Sequence, residues 1–186
     1  MSHVFKSFPI LHTPNMTLRQ LNISDEPAIY ELYSDPTVSS ARERMPFEVP
    51  EESSIMIKQI NDNYRKQTRI RWAIESRETG KLMGTIGIRS SVPISAHGEA
   101  YMNFELGRDY RGQGFMSEAL KAVIDFALDV IQLHKLSADF FSQNSAIPHL
   151  LKKVDFLIDY KEMRYSAAIN SEVEYTVYSR INPNIH

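Results

Sequence analysis

The segment that most constrains the fold spans residues 101–131, where the sequence changes from one periodicity to another. Large apolar residues alternate with other residues in 101–106, which is the period-two pattern of a strand with one buried face. Gly112 and Gly114 follow, and after them apolar residues recur every three or four positions as far as Ile131. The pattern predicts a strand, a glycine turn and an amphipathic helix of about four turns.

The glycine turn is a candidate anion site. A helix N-terminus offers unpaired backbone amides and the positive end of the helix dipole, and Arg111 adds a fixed cation beside them. From the spacing alone, a turn that merely begins a core helix is an equally good interpretation. A nucleotide P-loop is excluded because Gln113 and Gly114 stand where that loop needs Lys and Ser or Thr. A dinucleotide fingerprint lacks its third glycine, since Ser117 occupies that position.

Composition excludes several classes of protein. The net charge of −2 provides no basic field that would bind nucleic acid or an anionic membrane. The chain has no cysteine, which excludes a thiolate nucleophile and a cysteine-ligated zinc site. Its six histidines show no spacing typical of metal ligands, so we predict no metal. No apolar run approaches the roughly 18 residues of a membrane span, and a cytoplasmic protein is the default expectation.

The remaining chain predicts one mixed α/β sheet. Thr79-Gly80 supplies the turn of a hairpin, and a right-handed crossover through the long helix would make the strands at 101–106 and 136–141 parallel neighbours. Ser24 is a candidate N-cap for a first helix. Strands are predicted at 16–21, 70–75, 82–88, 101–106, 136–141, 157–165 and 173–179, and helices at 25–33, 50–66, 116–131 and 144–154, with loops at 38–49 and 90–98.

One motif in this order resembles a known family. The run Arg111-Gly112-Gln113-Gly114-Phe115-Met116 resembles the Q/R-x-x-G-x-G/A signature of the GNAT acetyltransferases. The hairpin at 70–88 and Ser142-Gln143-Asn144 resemble landmarks of the ribosomal-protein N-acetyltransferase (RimJ/RimL-like) branch, and the similarity runs from about Thr17 to Tyr178. Three positions depart from the pattern: Met116 replaces a small residue, Ile147 stands where the branch often has Ser, and Asp155 replaces a Gly.

The resemblance implies a single GNAT-like domain over residues 1–186, with an N-terminal extension at 1–14 and a C-terminal tail at 182–186. Its expected sheet is mixed and mostly antiparallel, with about seven strands flanked by about four helices. The expected sheet is splayed between the motif strand and the next one.

The resemblance also implies a site for acetyl-CoA as co-substrate. Glu105 is the candidate general base, and a structural or substrate-orienting role is an equal alternative. The departing thiolate would take its proton from Ser145, Tyr110 or water. The residues assigned to acetyl-CoA are Arg111 and the backbone amides of Gly112, Gln113, Gly114, Phe115 and Met116 for the pyrophosphate, and Phe104, Leu106 and Asn144 for the pantetheine arm.

The implied activity is direct transfer of acetyl from acetyl-CoA to a primary amine. The amine would be a protein N-terminal α-amine, such as that of a ribosomal protein, or a small amine. The alternative is a non-catalytic acyl-CoA sensor with the same fold. Neither nucleic acid nor membrane is an expected partner, and a homodimer is left open.

Overall fold

The computed structural model describes residues 3–39, 45–142, 146–167 and 170–185. Their strands form a sheet of eight, in the spatial order β1-β2-β3-β4-β5-β6-β8-β7. The strands are β1 (Leu11–His12), β2 (Met16–Gln20), β3 (Arg69–Ser76), β4 (Leu82–Arg89), β5 (Glu99–Leu106), β6 (Lys135–Phe141), β7 (Leu157–Ser166) and β8 (Ser171–Ile181). The short β1 is absent from the expected seven, because two residues are too few to give a periodic signal.

The helices flank this sheet. Those of seven or more described residues are α1 (Glu26–Ser34), α3 (Glu51–Arg65), α5 (Phe115–Asp125) and α6 (Ala146–Lys152), and single turns form α2 (Pro36–Ser39) and α4 (Ile94–His97). The four longer helices match the four predicted. The predicted loop at 90–98 contains α4, and the predicted loop at 38–49 overlaps α2 and residues 40–44, which lie outside the described residues. Within the described residues, no helix is long and apolar enough to cross a membrane.

Local sequence explains where the helices begin and end. Asn22, and not the predicted Ser24, caps the turn before α1, because the Asn22 side chain accepts a bond from the Ser24 amide and Asp25 completes a capping box. The long helix extends as far as predicted, but after α5 its last turn, Phe126–Val130, is π-helical.

The sheet opens between β5 and β6. Antiparallel β4 pairs with β5 over six positions, from Gly84–Leu106 to Arg89–Tyr101. Parallel β6 pairs with β5 over three, and the ladder ends at Tyr101–Ser137. The two strands therefore separate toward their carboxyl ends, as predicted, and leave a wedge-shaped gap at one edge of the sheet.

The two faces of the sheet bury different residues. The larger core lies between the sheet and α5, and Trp72, Ile86 and Phe104 belong to it. A smaller core lies between the other face and helices α1 and α3, and includes Tyr33 and Ala73. Alternation along β3, β4 and β5 assigns neighbouring residues to opposite faces.

The N-terminal extension belongs to the folded structure. Phe8 packs edge-on against Trp72, with ring centres 6.1 Å apart, and Trp72 Nε1 donates a hydrogen bond of 2.7 Å to the carbonyl of Pro9. Tyr64 of α3 also contacts the Phe8 ring, at 5.0 Å. The segment before β1 therefore closes one end of the larger core.

Candidate active site

A cavity of about 450 Å³ opens at the gap between β5 and β6. Its wall comes from the end of β5, the glycine turn, the first turn of α5, and α6. The predicted site residues that line it are Phe104, Glu105, Leu106, Arg111, Gly112, Gly114, Phe115 and Met116. Gln113 is exposed outside the cavity lining, and its side chain donates to the carbonyl of Asp109 at 2.7 Å. Asn144 and Ser145 lie outside the described residues, whereas Tyr110 lines the cavity.

The turn needs glycine at two positions for its backbone conformation. Gly112 has a φ of +75° and Gly114 a φ of +89°, in the left-handed region that side chains rarely adopt. A Cβ at either position would meet no atom within 4 Å. The glycines are therefore required by the backbone, and the space beside them is open to a ligand.

The amides of this turn are available as donors. Gly114 is the N-cap of α5 and provides no side-chain cap. The backbone amide of Glu118 donates to the Gly114 carbonyl at 3.1 Å. Among the described residues, none of the backbone amides of 112–117 has a hydrogen-bond partner. A helix N-terminus with uncapped amides binds anionic oxygen well. This corner fits the diphosphate of a nucleotide such as coenzyme A.

Arg111 lies beside these amides as an oriented cation. Its Nε donates to the carbonyl of Leu106 at 2.9 Å and its Nη1 to the hydroxyl of Thr37 at 3.1 Å. The side chain remains exposed at the cavity. Hydrogen bonds from Thr37 lower the pKa of Asp35, and the charges of Arg108 and Arg111 add to this effect. Arg111 therefore places one positive charge at the mouth of the cavity, beside the turn.

Another part of the cavity wall is apolar. Phe104 of β5 and Phe140 of β6 face each other across the gap with ring centres 5.2 Å apart. Ile147 and Leu150 of α6 complete this part of the wall. Ile147 provides no hydroxyl here, so this surface suits an aliphatic arm and offers no proton donor from that residue.

Glu105 lines the cavity and belongs to a buried polar cluster that sequence reasoning did not predict. Arg71 of β3 donates to Glu105 Oε2, and the hydroxyls of Tyr33 and Thr85 donate to the same oxygen at 3.1 Å and 3.0 Å. Arg71 also donates to Asn103 Oδ1 at 3.0 Å. Arg71 is 3% exposed and Glu105 8% exposed, so the two form a buried ion pair.

The strand register explains this cluster. Arg71 alternates with Ile70 and Trp72, and therefore points away from the larger core toward α1. Burial alone would lower the pKa of Arg71, but the charge of Glu105 and the hydroxyl of Tyr33 raise it. The available signal in the sequence was a charged residue between two large apolar ones, Ile70 and Trp72. That signal does not identify Glu105, two strands away, as the partner of Arg71.

A second set of paired charges lies on the same face, across the gap. Asp139 of β6 is two residues beyond the end of the β5–β6 ladder, as is Asn103 of β5. Arg164 donates to Asp139, and Arg89 approaches its other oxygen at 4.0 Å. The guanidinium of Arg164 also lies over the Tyr175 ring, 4.5 Å from its centre. Both described acids that flank the gap on this face are thus matched by arginine.

Metal ligation finds no support in the described residues. No group of three or more His, Asp or Glu side chains among them could hold a metal ion.

Comparison with known proteins agrees with this geometry. The family model described as acetyltransferase (GNAT) domain matches residues 15–157. An uncharacterized N-acetyltransferase of Bacillus subtilis, YoaA, is 30% identical over 176 residues, covering 95% of this chain and 98% of the relative.

Solved structures share the fold. A ribosomal-protein-S5-alanine acetyltransferase from Vibrio fischeri superposes with a TM-score of 0.81 at 16% identity, over 95% of this chain and 98% of that one. A spermidine N-acetyltransferase from Vibrio cholerae, in complex with CoA and spermine, gives 0.78 at 18% identity, over 91% and 97%. At these identities the structures establish the fold, whereas the family model and the relative establish the family. The chain belongs to the GNAT family and is an acetyl-CoA-dependent N-acetyltransferase.

Proposed function

We propose that the acceptor is the α-amine of a polypeptide N-terminus. The observation that carries the proposal is the buried ion pair between Arg71 and Glu105. A guanidinium in contact with a carboxylate stabilises the ionised carboxylate, and this makes the carboxylate a weaker proton acceptor. An amine that loses its own proton readily is therefore the acetyl acceptor best matched to this site.

The intrinsic basicity of amines separates the candidates. An α-amine has a pKa of about 7.7–8.0, whereas a lysine-type alkylamine has a pKa of about 10.4. Near neutral pH, a substantial fraction of the α-amine is already the neutral nucleophile. Less than about a thousandth of an alkylamine is neutral at this pH. An alkylamine therefore needs a stronger base than a carboxylate paired with arginine.

The charge around the gap points the same way. Arg71 balances Glu105, and Arg164 with Arg89 balances Asp139. A polyamine carries several positive charges and calls for an excess of carboxylates. The described walls provide no such excess, although relatives 24% identical to this chain are named spermidine N(1)-acetyltransferases.

Roles for the residues follow from their positions. The amides of 112–116 and Arg111 would hold the diphosphate of acetyl-CoA, and the backbone of Phe104 and Leu106 would contact its pantetheine arm. The bound thioester supplies the acetyl group. Glu105 would accept a hydrogen bond from the amine and orient it, and Tyr110 is the candidate proton donor to the thiolate.

A panel of amines tests the proposal. Thiol release from acetyl-CoA would be measured at neutral pH with short peptides bearing a free α-amine, with the same peptides blocked at the N-terminus but containing lysine, and with spermidine. We expect kcat/KM for the free α-amine to exceed that for spermidine at least about tenfold, because the neutral fraction of the α-amine is larger by more than about a hundredfold.

Preference for spermidine or for the lysine side chain would overturn the proposed acceptor. Tight binding of acetyl-CoA without thiol release on any amine would indicate the non-catalytic sensor instead. Thiol release separates these two outcomes, and calorimetry in parallel shows whether acetyl-CoA is bound when no thiol is released.

A further inference from the structure

Asn103 of β5 presents an oriented hydrogen-bond donor close to Glu105. It is 8% exposed, and its Oδ1 accepts the bond from Arg71 at 3.0 Å. A guanidinium can only donate, so Oδ1 is the atom that must face Arg71, and the Nδ2 group must point elsewhere. Among the described residues, Nδ2 has no hydrogen-bond partner. Asn103 therefore offers a donor to a ligand from a fixed side chain.

The strand register explains how Arg71 reaches this side chain. Arg71 and Asn103 both lie opposite Gly87, which belongs to the strand between them. Gly87 has no side chain, and a Cβ there would lie 3.1 Å from the Cβ of Arg71. The Arg71 side chain therefore passes over Gly87 and approaches Asn103 from the side of β4. Nδ2 is thereby directed away from β4, toward the gap between β5 and β6.

The gap gives this donor access from outside. In the described ranges, the fully buried polar side-chain atoms that lack a partner are Ser53 Oγ and Ser166 Oγ, so Nδ2 retains contact with solvent. Asn103 is two residues past the last pair of the β5–β6 ladder, where the strands have separated. Among the described residues, the lining of the acetyl-CoA cavity includes Glu105 but not Asn103. The donor therefore faces the side of the gap that is left to the acceptor.

The spacing along β5 fits a peptide. Asn103 and Glu105 are two residues apart, so they share one face of the strand, and equivalent atoms are about 6.6–7 Å apart. An extended peptide has the same rise, so its α-amine and the carbonyl of its second residue are separated by roughly 6–7 Å. An amine oriented by Glu105 would bring that carbonyl to Asn103. An alkylamine such as spermidine has no carbonyl to place there.

We propose that Asn103 Nδ2 donates a hydrogen bond to the backbone carbonyl of the acceptor's second residue, and that this bond selects peptides over simple amines. The inference rests on the proposed α-amine acceptor and names a residue that recognises it. Arg71 then acts at two points, because it pairs with the carboxylate of Glu105 and orients the amide of Asn103. One guanidinium thereby fixes the distance between the amine site and the carbonyl site.

Two acceptors that differ by one residue test the proposal. Alaninamide carries the α-amine and the first carbonyl, whereas alanyl-alaninamide adds the second carbonyl. Thiol release at neutral pH and saturating acetyl-CoA gives kcat/KM for each acceptor. We expect the wild-type protein to prefer alanyl-alaninamide by about fivefold or more, as one added hydrogen bond would provide.

Asn103→Asp separates the carbonyl contact from effects on the amine. Asp keeps an oxygen for Arg71 and replaces Nδ2 with a second oxygen, so Arg71 stays paired and the donor is lost. Effects on Glu105 and on the amine are common to both acceptors and cancel in the ratio of their kcat/KM values. We expect that ratio to fall to about one. Calorimetry should give an unchanged dissociation constant for acetyl-CoA, because Asn103 lies outside the cavity lining.

A matched control makes the same chemical change elsewhere. Asn63→Asp lies on α3, away from the gap, and should keep the wild-type ratio. Unfolding temperatures verify that each variant is folded. If Asn103→Asp does not fold, Asn103→Ala should show the same loss of preference.

The outcomes separate this proposal from the proposed acceptor. Equal kcat/KM values for the two acceptors in the wild-type protein, or a wild-type ratio in Asn103→Asp, would overturn the role of Asn103 and leave the α-amine acceptor intact. A wild-type protein that prefers spermidine to both, or releases no thiol with either, would overturn the proposed acceptor and the role of Asn103 together.

Discussion

The two faces of strands β3, β4 and β5 are built from alternate residues and serve different purposes. Toward α5 the strands present apolar side chains, among them Trp72 and Ile86, both fully buried. Toward α1 they present Arg71, Thr85 and Glu105, which are also buried but hydrogen-bonded to one another.

The difference separates stability from orientation. An apolar face stabilises the fold roughly in proportion to the area it buries. A buried ion pair contributes little net stability, because desolvation offsets its attraction, but it holds its members in one geometry. We infer that the first face maintains the fold and that the second positions Glu105 at the cavity.

The largest effect is expected on the apolar face. Trp72→Ala removes a fully buried side chain that contacts the rings of Phe8 and Phe126, and should cost about 3–5 kcal/mol of unfolding free energy. Urea unfolding followed by circular dichroism measures this loss. Tryptophan fluorescence would not report on the variant, because Trp72 is the chain's single tryptophan. Ile55→Ala, at a position 56% exposed, is the control. If Trp72→Ala does not fold, Trp72→Phe should still lose more stability than the control. A loss below about 1 kcal/mol for Trp72→Ala would contradict the assignment of stability to this face.

Breaking the ion pair between Arg71 and Glu105 should separate its contribution to stability from its contribution to turnover. Arg71→Met leaves Glu105 buried without its cation, and should lower the unfolding free energy by about 3 kcal/mol. Arg71→Met combined with Glu105→Leu should recover most of that loss, while turnover stays on the order of a hundredfold below wild type. Unfolding curves and thiol-release rates on the same preparations make the comparison. Full turnover in the double variant would show that the polar face has no part in the reaction.

Loss of the cation at the turn should weaken donor binding. Arg111→Ala removes a charge-assisted contact with the diphosphate and should reduce acetyl-CoA affinity by about 1–3 kcal/mol. Calorimetry measures the dissociation constant, with Arg108→Ala as the control, because Arg108 lies in the same loop and pairs with Asp35 outside the cavity. Equal affinities in the two variants would remove Arg111 from the site.

A glycine substitution distinguishes strain from function. Gly114→Ala and Gly80→Ala each place a Cβ at a positive φ with open space around it, so each should cost about 1 kcal/mol of stability. We expect Gly114→Ala alone to weaken acetyl-CoA binding, because Gly80 lies in the distant β3–β4 turn. The same binding loss in both variants would mean that the turn responds to strain alone.

The smallest effect is the pH dependence of stability that comes from Glu118 of α5. Burial tends to raise the pKa of Glu118, but hydrogen bonds from Thr13 and Asn15 outweigh it and lower the pKa below 4.5. Because the folded-state pKa is lowered, this contribution is present above about pH 4.5 and disappears as pH falls through the lowered value. Glu118→Gln should therefore reduce stability at neutral pH by at most about 1 kcal/mol, and less in acid. Thermal unfolding of both proteins at pH 7 and pH 3 checks this, and a difference that grows in acid would contradict it.

Much of the fold could be predicted because its signals are local. The hairpin turn at Thr79-Gly80, the period change after Gly114 and the final antiparallel pair all lie where the sequence placed them. The glycine turn between β5 and α5 was also predictable, because glycines at a strand-to-helix junction indicate a backbone turn that needs positive φ angles. β1 was missed because its pairing with β2 is decided by contact and not by pattern.

The sequence by itself determined the elements, their buried faces and the family signature, since period and turn chemistry act over a few residues. Tertiary structure decided that Arg71 meets Glu105, 34 positions away, and that Phe8 covers Trp72. It also decided that β7 is the strand left at the edge. Strand order brings such residues together, and strand order depends on the packing of the whole sheet, which no local pattern encodes.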